Sequence, residues 1–73
     1  MKSESVHAAV RRAEEAGLYV LREHNGFGHT LIRVVWWTDY DYTILIERVH
    51  TTGNAEAQRD CIDKTVDLME RLK

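Results

Sequence analysis

The sequence contains no proline and a single cysteine, Cys61, in its 73 residues. An intramolecular disulfide is therefore excluded. The histidines are scattered along the chain and have no cysteine pair beside them, at His7, His24, His29 and His50. Structural zinc sites use closely spaced Cys and His pairs, so we expect neither a metal nor any other cofactor. A chain this short buries a modest fraction of its surface, and association with another chain is the remaining way to add stability.

Long apolar runs and an excess of one charge are also missing. No apolar run approaches the roughly 20 residues that cross a bilayer, and residues 1–5 are polar, with no apolar signal region behind them. The chain has 10 basic and 12 acidic residues, a net charge of -2 at pH 7. Proteins that bind nucleic acid without sequence specificity are strongly basic. We therefore expect a cytoplasmic protein without membrane contact, for which a nucleic-acid partner is disfavoured.

The two ends of the chain have helical patterns. Residues 3–5, Ser-Glu-Ser, are typical of a helix N-terminus, and Gly17 is typical of a helix end. Between them, apolar residues recur at helical spacing, at Val6, Ala9, Val10 and Ala13. Asn54 is a suitable cap for a second helix, whose apolar face includes Cys61, Ile62, Thr65, Val66, Leu68, Met69 and Leu72. The sequence predicts helices over about residues 4–16 and 55–72.

The middle of the chain is rich in β-branched and aromatic residues separated by short turns. These segments predict strands over about residues 18–24, 30–37 and 42–49. The first connection, residues 25–28, has the turn sequence Asn-Gly-Phe-Gly. Short loops between successive strands imply an antiparallel meander. The predicted fold is therefore a single α+β domain over residues 1–73, in the order α-β-β-β-α, with both helices on one face of the sheet.

The middle strand is apolar on both of its faces. Because side chains alternate, one face carries Ile32, Val34 and Trp36, and the other carries Leu31, Arg33, Val35 and Trp37. Two helices on one side of a sheet cover only that side. The first set is the predicted core face, and Leu31, Val35 and Trp37 are predicted to face solvent. A slip of one residue in register would exchange the two faces.

Two interpretations of the second face remain open. The stems of Arg22, Arg33 and Arg48 could cover it, or it could be a contiguous apolar interface. A cluster of Trp36, Trp37, Tyr40 and Tyr42 at one end of the sheet would suit a binding hot spot. The predicted protein-binding residues are Leu31, Arg33, Val35, Trp37, Tyr40 and Tyr42. An outer strand could alternatively pair with the edge of another chain.

The order of elements, Tyr19 in the first strand and the loop Gly26-Phe27-Gly28-His29-Thr30 resemble the double-stranded RNA-binding domain, which has a Gly-Pro-x-His loop there. The resemblance covers nearly the whole chain and implies duplex-RNA binding. That family holds phosphates with lysines at the start of its second helix. This sequence has Asn-Ala-Glu-Ala-Gln-Arg-Asp over residues 54–60, so Arg59 and Lys64 would have to bind the RNA.

The topology and the segment Gly17-Leu18-Tyr19-Val20-Leu21-Arg22 also resemble the HicA-type ribonuclease toxins, which open with Gly-Trp-x-x-x-Arg. This second resemblance implies that His29, after Gly28, is a catalytic general acid or base. The serine of that family's Gly-Ser-His motif is absent, and the charge is not basic.

A non-enzymatic protein-binding domain is the function that the sequence favours. The protein would occupy a partner's surface, as an inhibitor of a host or defence complex encoded by a phage or mobile element would, in the manner of anti-CRISPR proteins. Alternatively, it would form a homodimer through its sheet. RNA binding and ribonuclease activity are the two alternatives.

Overall fold

The computed structural model describes residues 5–72 and has the predicted order of elements. They are α1 (Val6–Glu15), β1 (Leu18–His24), β2 (His29–Trp37), β3 (Tyr42–Thr51) and α2 (Ala55–Leu72). The strands form one antiparallel sheet in the order β1-β2-β3, and both helices pack on the same face of it. The predicted α+β fold class is confirmed.

Helix α1 begins and ends at residues suited to those positions. The Ser5 hydroxyl caps it by accepting a hydrogen bond from the Ala8 amide at 3.2 Å. The chain leaves the helix through Gly17, whose φ of 87° lies in the left-handed region that favours glycine. The predicted cap residues Ser3 and Glu4 lie outside the described residues.

The core lies between the helices and one face of the sheet. Ile32 and Val34 from β2 are fully buried there, together with Ile62 from α2. Helix α1 contributes the small side chains Ala9 and Ala13, both without exposed surface, which let its backbone approach α2 and β1 closely. The predicted core face of β2 is therefore the face that the helices cover.

A β-bulge separates the two halves of β3. Val34 pairs with Ile46 whereas the next residue, Val35, pairs with Ile44, so Leu45 is the extra residue. Without the bulge, Ile44 and Ile46 would lie on the same face, because side chains alternate. With it, Ile46 packs against the core and Ile44 lies on the opposite face.

Gln58 is the centre of a buried polar cluster that joins α2 to the end of the sheet. Its side chain is 1% exposed, and its amide donates to the carbonyls of Thr51 and Thr52 at 3.1 and 3.0 Å. Its carbonyl accepts from the Arg22 guanidinium at 3.3 Å. Thr30, fully buried, is hydrogen-bonded to the Thr52 hydroxyl at 2.9 Å. Since each polar atom of the Gln58 side chain has a partner, the cluster fixes the β3–α2 connection without leaving that amide unsatisfied.

Neither helix, within residues 5–72, is long and apolar enough to cross a membrane.

Candidate functional site

The face of the sheet opposite the helices carries a shallow apolar groove, to which all three strands contribute. The groove has a volume of about 310 Å³. We call it the open-face groove, and it is lined by Tyr19, Leu21, Arg33, Val35, Trp37, Tyr42 and Ile44. No other described element packs over this face, since both helices lie on the other side.

The rim of the open-face groove is aromatic and accessible. Trp37 is 57% exposed, Tyr42 52% and Tyr19 50%. The rings of Trp37 and Tyr42 lie 5.1 Å apart at an interplanar angle of 45°, which is within the range of favourable aromatic pairs. The pair is consequently pre-positioned, so that less side-chain entropy is lost when a partner binds.

Val35 forms the floor of the groove, and the expectation that it faces solvent is wrong. It is only 4% exposed, although it lies on the open face. Its cross-strand neighbours are Tyr19 on β1 and Ile44 on β3, and large side chains directly opposite in a sheet approach closely enough to cover a smaller one between them. Val35 therefore supports the groove and is a structural residue there.

The aliphatic stems of Arg22, Arg33 and Arg48 do not together cover the open face, although one interpretation of the sequence required it. Arg22 and Arg48 both pair with Ile32, on opposite sides of it, and so lie on the helix side of the sheet. Only Arg33 lies on the open face, where its Nε donates to Glu47 Oε2 at 2.7 Å. That interpretation is wrong for Arg22 and Arg48, and the aromatic rim stays accessible.

The predicted binding residues are only partly brought together. Arg33, Val35, Trp37 and Tyr42 line the open-face groove, whereas Leu31 lines a separate small groove near the β1–β2 turn. Tyr40 is 98% exposed in the β2–β3 connection, outside the groove lining. Trp36 pairs with Leu18, a core residue, and so lies on the helix side. The proposed four-residue aromatic cluster is therefore reduced to the pair Trp37 and Tyr42.

Sequence reasoning missed three groove residues, Tyr19, Leu21 and Ile44. The first two follow from alternation in β1, given that Leu18 and Val20 point to the core. A signal for them was therefore present in the sequence. Ile44 is on this face only because of the bulge at Leu45, and strand periodicity alone contains no signal for it.

The residues of the two alternative functions are separated in the structure. Arg59 and Lys64 are five positions apart on α2, which places them about 140° apart around the helix axis. Arg59 lies 3.8 Å from Asp60. His29 is exposed at the start of β2, in the small groove that Glu23, His24, Asn25, Leu31 and Val49 also line. Within residues 5–72, no group of three or more His, Cys, Asp or Glu residues is arranged to hold a metal ion.

Cys61 is buried at 7% exposure, and burial raises the pKa of its thiol, while the positive charges of Arg48 and Lys64 act to lower it. The folded state thus binds this proton more tightly than the unfolded chain does. The contribution of this thiol to the free energy of unfolding is fully present below the ordinary thiol pKa of about 8.5. It is lost as the pH rises through the higher folded-state pKa. We expect urea denaturation to show that the free energy of unfolding falls less between pH 7 and pH 9.5 in Cys61→Ala than in the wild type. Equal losses would contradict this.

Comparison of the chain with protein-family models, curated protein sequences and solved structures found no match.

Proposed function

We propose that this protein is a non-enzymatic protein-binding domain that holds its partner on the open-face groove. The observation that carries the proposal is a continuous apolar and aromatic surface built from all three strands, with no second layer over it in residues 5–72. Contiguous exposed apolar surface is typical of interaction sites, and Trp and Tyr are the residue types enriched at binding hot spots.

The electrostatics of the groove favour a protein over a nucleic acid as partner. Within residues 5–72, Arg33 is the only cationic side chain in the groove lining, and Glu47 already neutralises it at 2.7 Å. Affinity for a phosphate backbone depends on several cations that displace counterions. Arg33 lies at one end of the β2 row that lines the groove, so an apolar side chain of the partner would insert away from it, between Trp37, Tyr42 and Ile44 and above Val35.

The test of this proposal is Trp37→Arg, which removes an aromatic rim residue and places a charge in the groove. Trp37 is 57% exposed, so the fold should persist, as circular dichroism would verify. Affinity capture from the native host should lose the partner that the wild type retains, and calorimetry with that purified partner should give a loss of at least about 2 kcal/mol. If the partner is a second copy, sedimentation equilibrium should show the variant as a monomer.

Phe27→Arg is the matched control, because Phe27 is 86% exposed at the β1–β2 turn and outside the groove. It should bind as the wild type does. The proposal is wrong if Trp37→Arg and Phe27→Arg behave alike, or if the wild type is a monomer and captures nothing.

A further inference from the structure

The outer edge of β3 has backbone groups that point away from the sheet. Hydrogen-bonded and non-hydrogen-bonded pairs alternate along an antiparallel ladder. The Thr52 amide donates to the Gly28 carbonyl at 2.8 Å, which makes residues 28 and 52 a hydrogen-bonded pair. Every second pair along the register is also hydrogen-bonded, so residues 48 and 50 bond to β2. The backbone amides and carbonyls of the residues between and before them, Val49 and Glu47, therefore point outward. Two consecutive outward-facing positions are thus available to an added strand.

Beside this edge, a second groove runs between β3 and α2. It has a volume of about 430 Å³. Its two walls are alternate residues of a strand and residues of one helix face, namely Ile46, Arg48 and His50 on β3 and Ala57, Asp60, Cys61 and Lys64 on α2. A strand added to the edge of β3 would direct every second side chain into this β3–α2 groove, because the helix-side positions of neighbouring strands lie on one face.

The β3–α2 groove has cationic groups whose charges are not neutralised within it. Its one carboxylate, Asp60, lies 3.8 Å from Arg59. Lys64 forms no ion pair within the described part of the chain. Among residues 5–72, the Arg48 guanidinium donates only to a backbone carbonyl, that of Glu47, at 2.9 Å.

His50 supplies an independent observation at the same place. Its Nε2 is buried, with no hydrogen-bond partner among residues 5–72, and the side chain lines the groove. A buried polar atom without a partner costs free energy, and a polar side chain entering the groove would remove that cost.

We propose that an extended acidic segment of a partner protein adds to β3 as a fourth strand and places a carboxylate in the β3–α2 groove between Arg48 and Lys64. Main-chain bonds to Glu47 and Val49 supply affinity, and the groove supplies specificity, as in other complexes formed by strand addition. Arg48 lies between the two outward-facing residues. In an antiparallel addition, the residue opposite Arg48 belongs to a non-hydrogen-bonded pair, where side chains approach most closely. On binding, the Arg48 guanidinium gives up its hydrogen bond to the Glu47 carbonyl and donates to the partner's carboxylate instead.

The experiment is a peptide-display selection on the folded protein with a random 12-residue library, followed by fluorescence anisotropy with the selected peptides. We expect alternating β-branched sequences with one conserved acidic position. We expect Lys64→Glu to weaken the selected peptides by about tenfold or more, since it replaces attraction by repulsion. In amide exchange by NMR, the Glu47 and Val49 amides should become protected only when peptide is bound.

Val49→Pro separates edge binding from folding. The Val49 amide points outward, so proline there removes a donor to the peptide without removing a bond to β2, as at other edge strands. It should abolish peptide binding with the fold intact, whereas Trp37→Arg should leave peptide binding unchanged. The second result keeps this inference distinct from the open-face groove. Peptides without an acidic position, or binding insensitive to Lys64→Glu and Val49→Pro, would overturn the proposal. So would an RNA duplex of about 16 base pairs that protects the same amides in place of the peptides.

Discussion

Replacement of Ile32 by alanine is expected to lower the free energy of unfolding by about 2–5 kcal/mol, as is typical of a fully buried isoleucine. Ile32 has no exposed surface and lies in the middle strand, as part of the core cluster that the helices and the sheet share. Its neighbours across β1 and β3 are Arg22 and Arg48. Their long side chains are poor substitutes for the lost methyl groups, because moving them inward would bury charge.

A chain of 73 residues has a total stability of roughly 4–11 kcal/mol, so Ile32→Ala should remove a large share of it and lower the urea midpoint clearly. Urea denaturation followed by tryptophan fluorescence measures this. Ile32→Val is the graded control and should cost about 0.5–1.5 kcal/mol. Val49→Ala, at a β3 position that is 63% exposed, should cost less than Ile32→Ala by at least 1 kcal/mol or so. Similar losses for Ile32→Ala and Val49→Ala would mean that the assignment of the two faces is wrong.

The order and type of the elements could be predicted because local signals agree with the global fold. Ser5 and Gly17 flank α1, alternation in β2 identifies Ile32 and Val34 as core residues, and short turns force an antiparallel meander. Each of these signals acts over a few neighbouring residues, and each has the same meaning in the sequence and in the folded chain.

The site was less predictable, because its composition depends on contacts between strands. Val35 is covered only because Tyr19 and Ile44 lie beside it, and their positions depend on register and on the bulge at Leu45. The arginines are a similar case. Their ability to cover apolar surface is general, but the face on which Arg22 and Arg48 lie is a property of the register with Ile32. Pairwise geometry of this kind has no local signature in one sequence.

The two proposed surfaces use different parts of the sheet and can work together. The open-face groove is on the face that the helices leave uncovered, and the β3–α2 groove is on the helix side, next to the edge of β3. A partner that adds a strand at the edge would extend the sheet, and with it the open face. Binding at one surface would then increase the apolar area available at the other. Trp37→Arg and Val49→Pro separate the two contributions, because each variant alters one surface.

Gln58→Leu is expected to cost about 1–3 kcal/mol of stability, although leucine is similar in size and more apolar than glutamine. The loss comes from the backbone carbonyls of Thr51 and Thr52, to which the Gln58 amide donates at 3.1 and 3.0 Å. The backbone N–H of Asn54 also donates to the Thr51 carbonyl at 2.9 Å. The substitution therefore leaves the Thr52 carbonyl without a donor. The hydrogen bond to the Thr52 carbonyl is part-buried, and an acceptor that loses its donor in such a place costs about 1–3 kcal/mol.

Arg22→Met is the matched control for Gln58→Leu. It removes the third bond of the same cluster, which is long at 3.3 Å and belongs to an exposed side chain, so it should cost less than about 1 kcal/mol. Equal losses in the two variants would show that the cluster depends on charge and not on the amide.

Amide exchange can show which part of the structure Gln58→Leu destabilises. Gln58 ties the first turn of α2 to the end of β3, and the Thr52 amide bonds back to Gly28 at 2.8 Å. We expect Gln58→Leu to accelerate amide exchange at Thr52 more than at Val34, which lies in the core of the sheet. The β3–α2 groove lies between the same two elements, so the variant should also weaken the selected acidic peptides while leaving binding at the open-face groove unchanged. Loss of both activities together would indicate global unfolding instead of a local change at the β3–α2 connection.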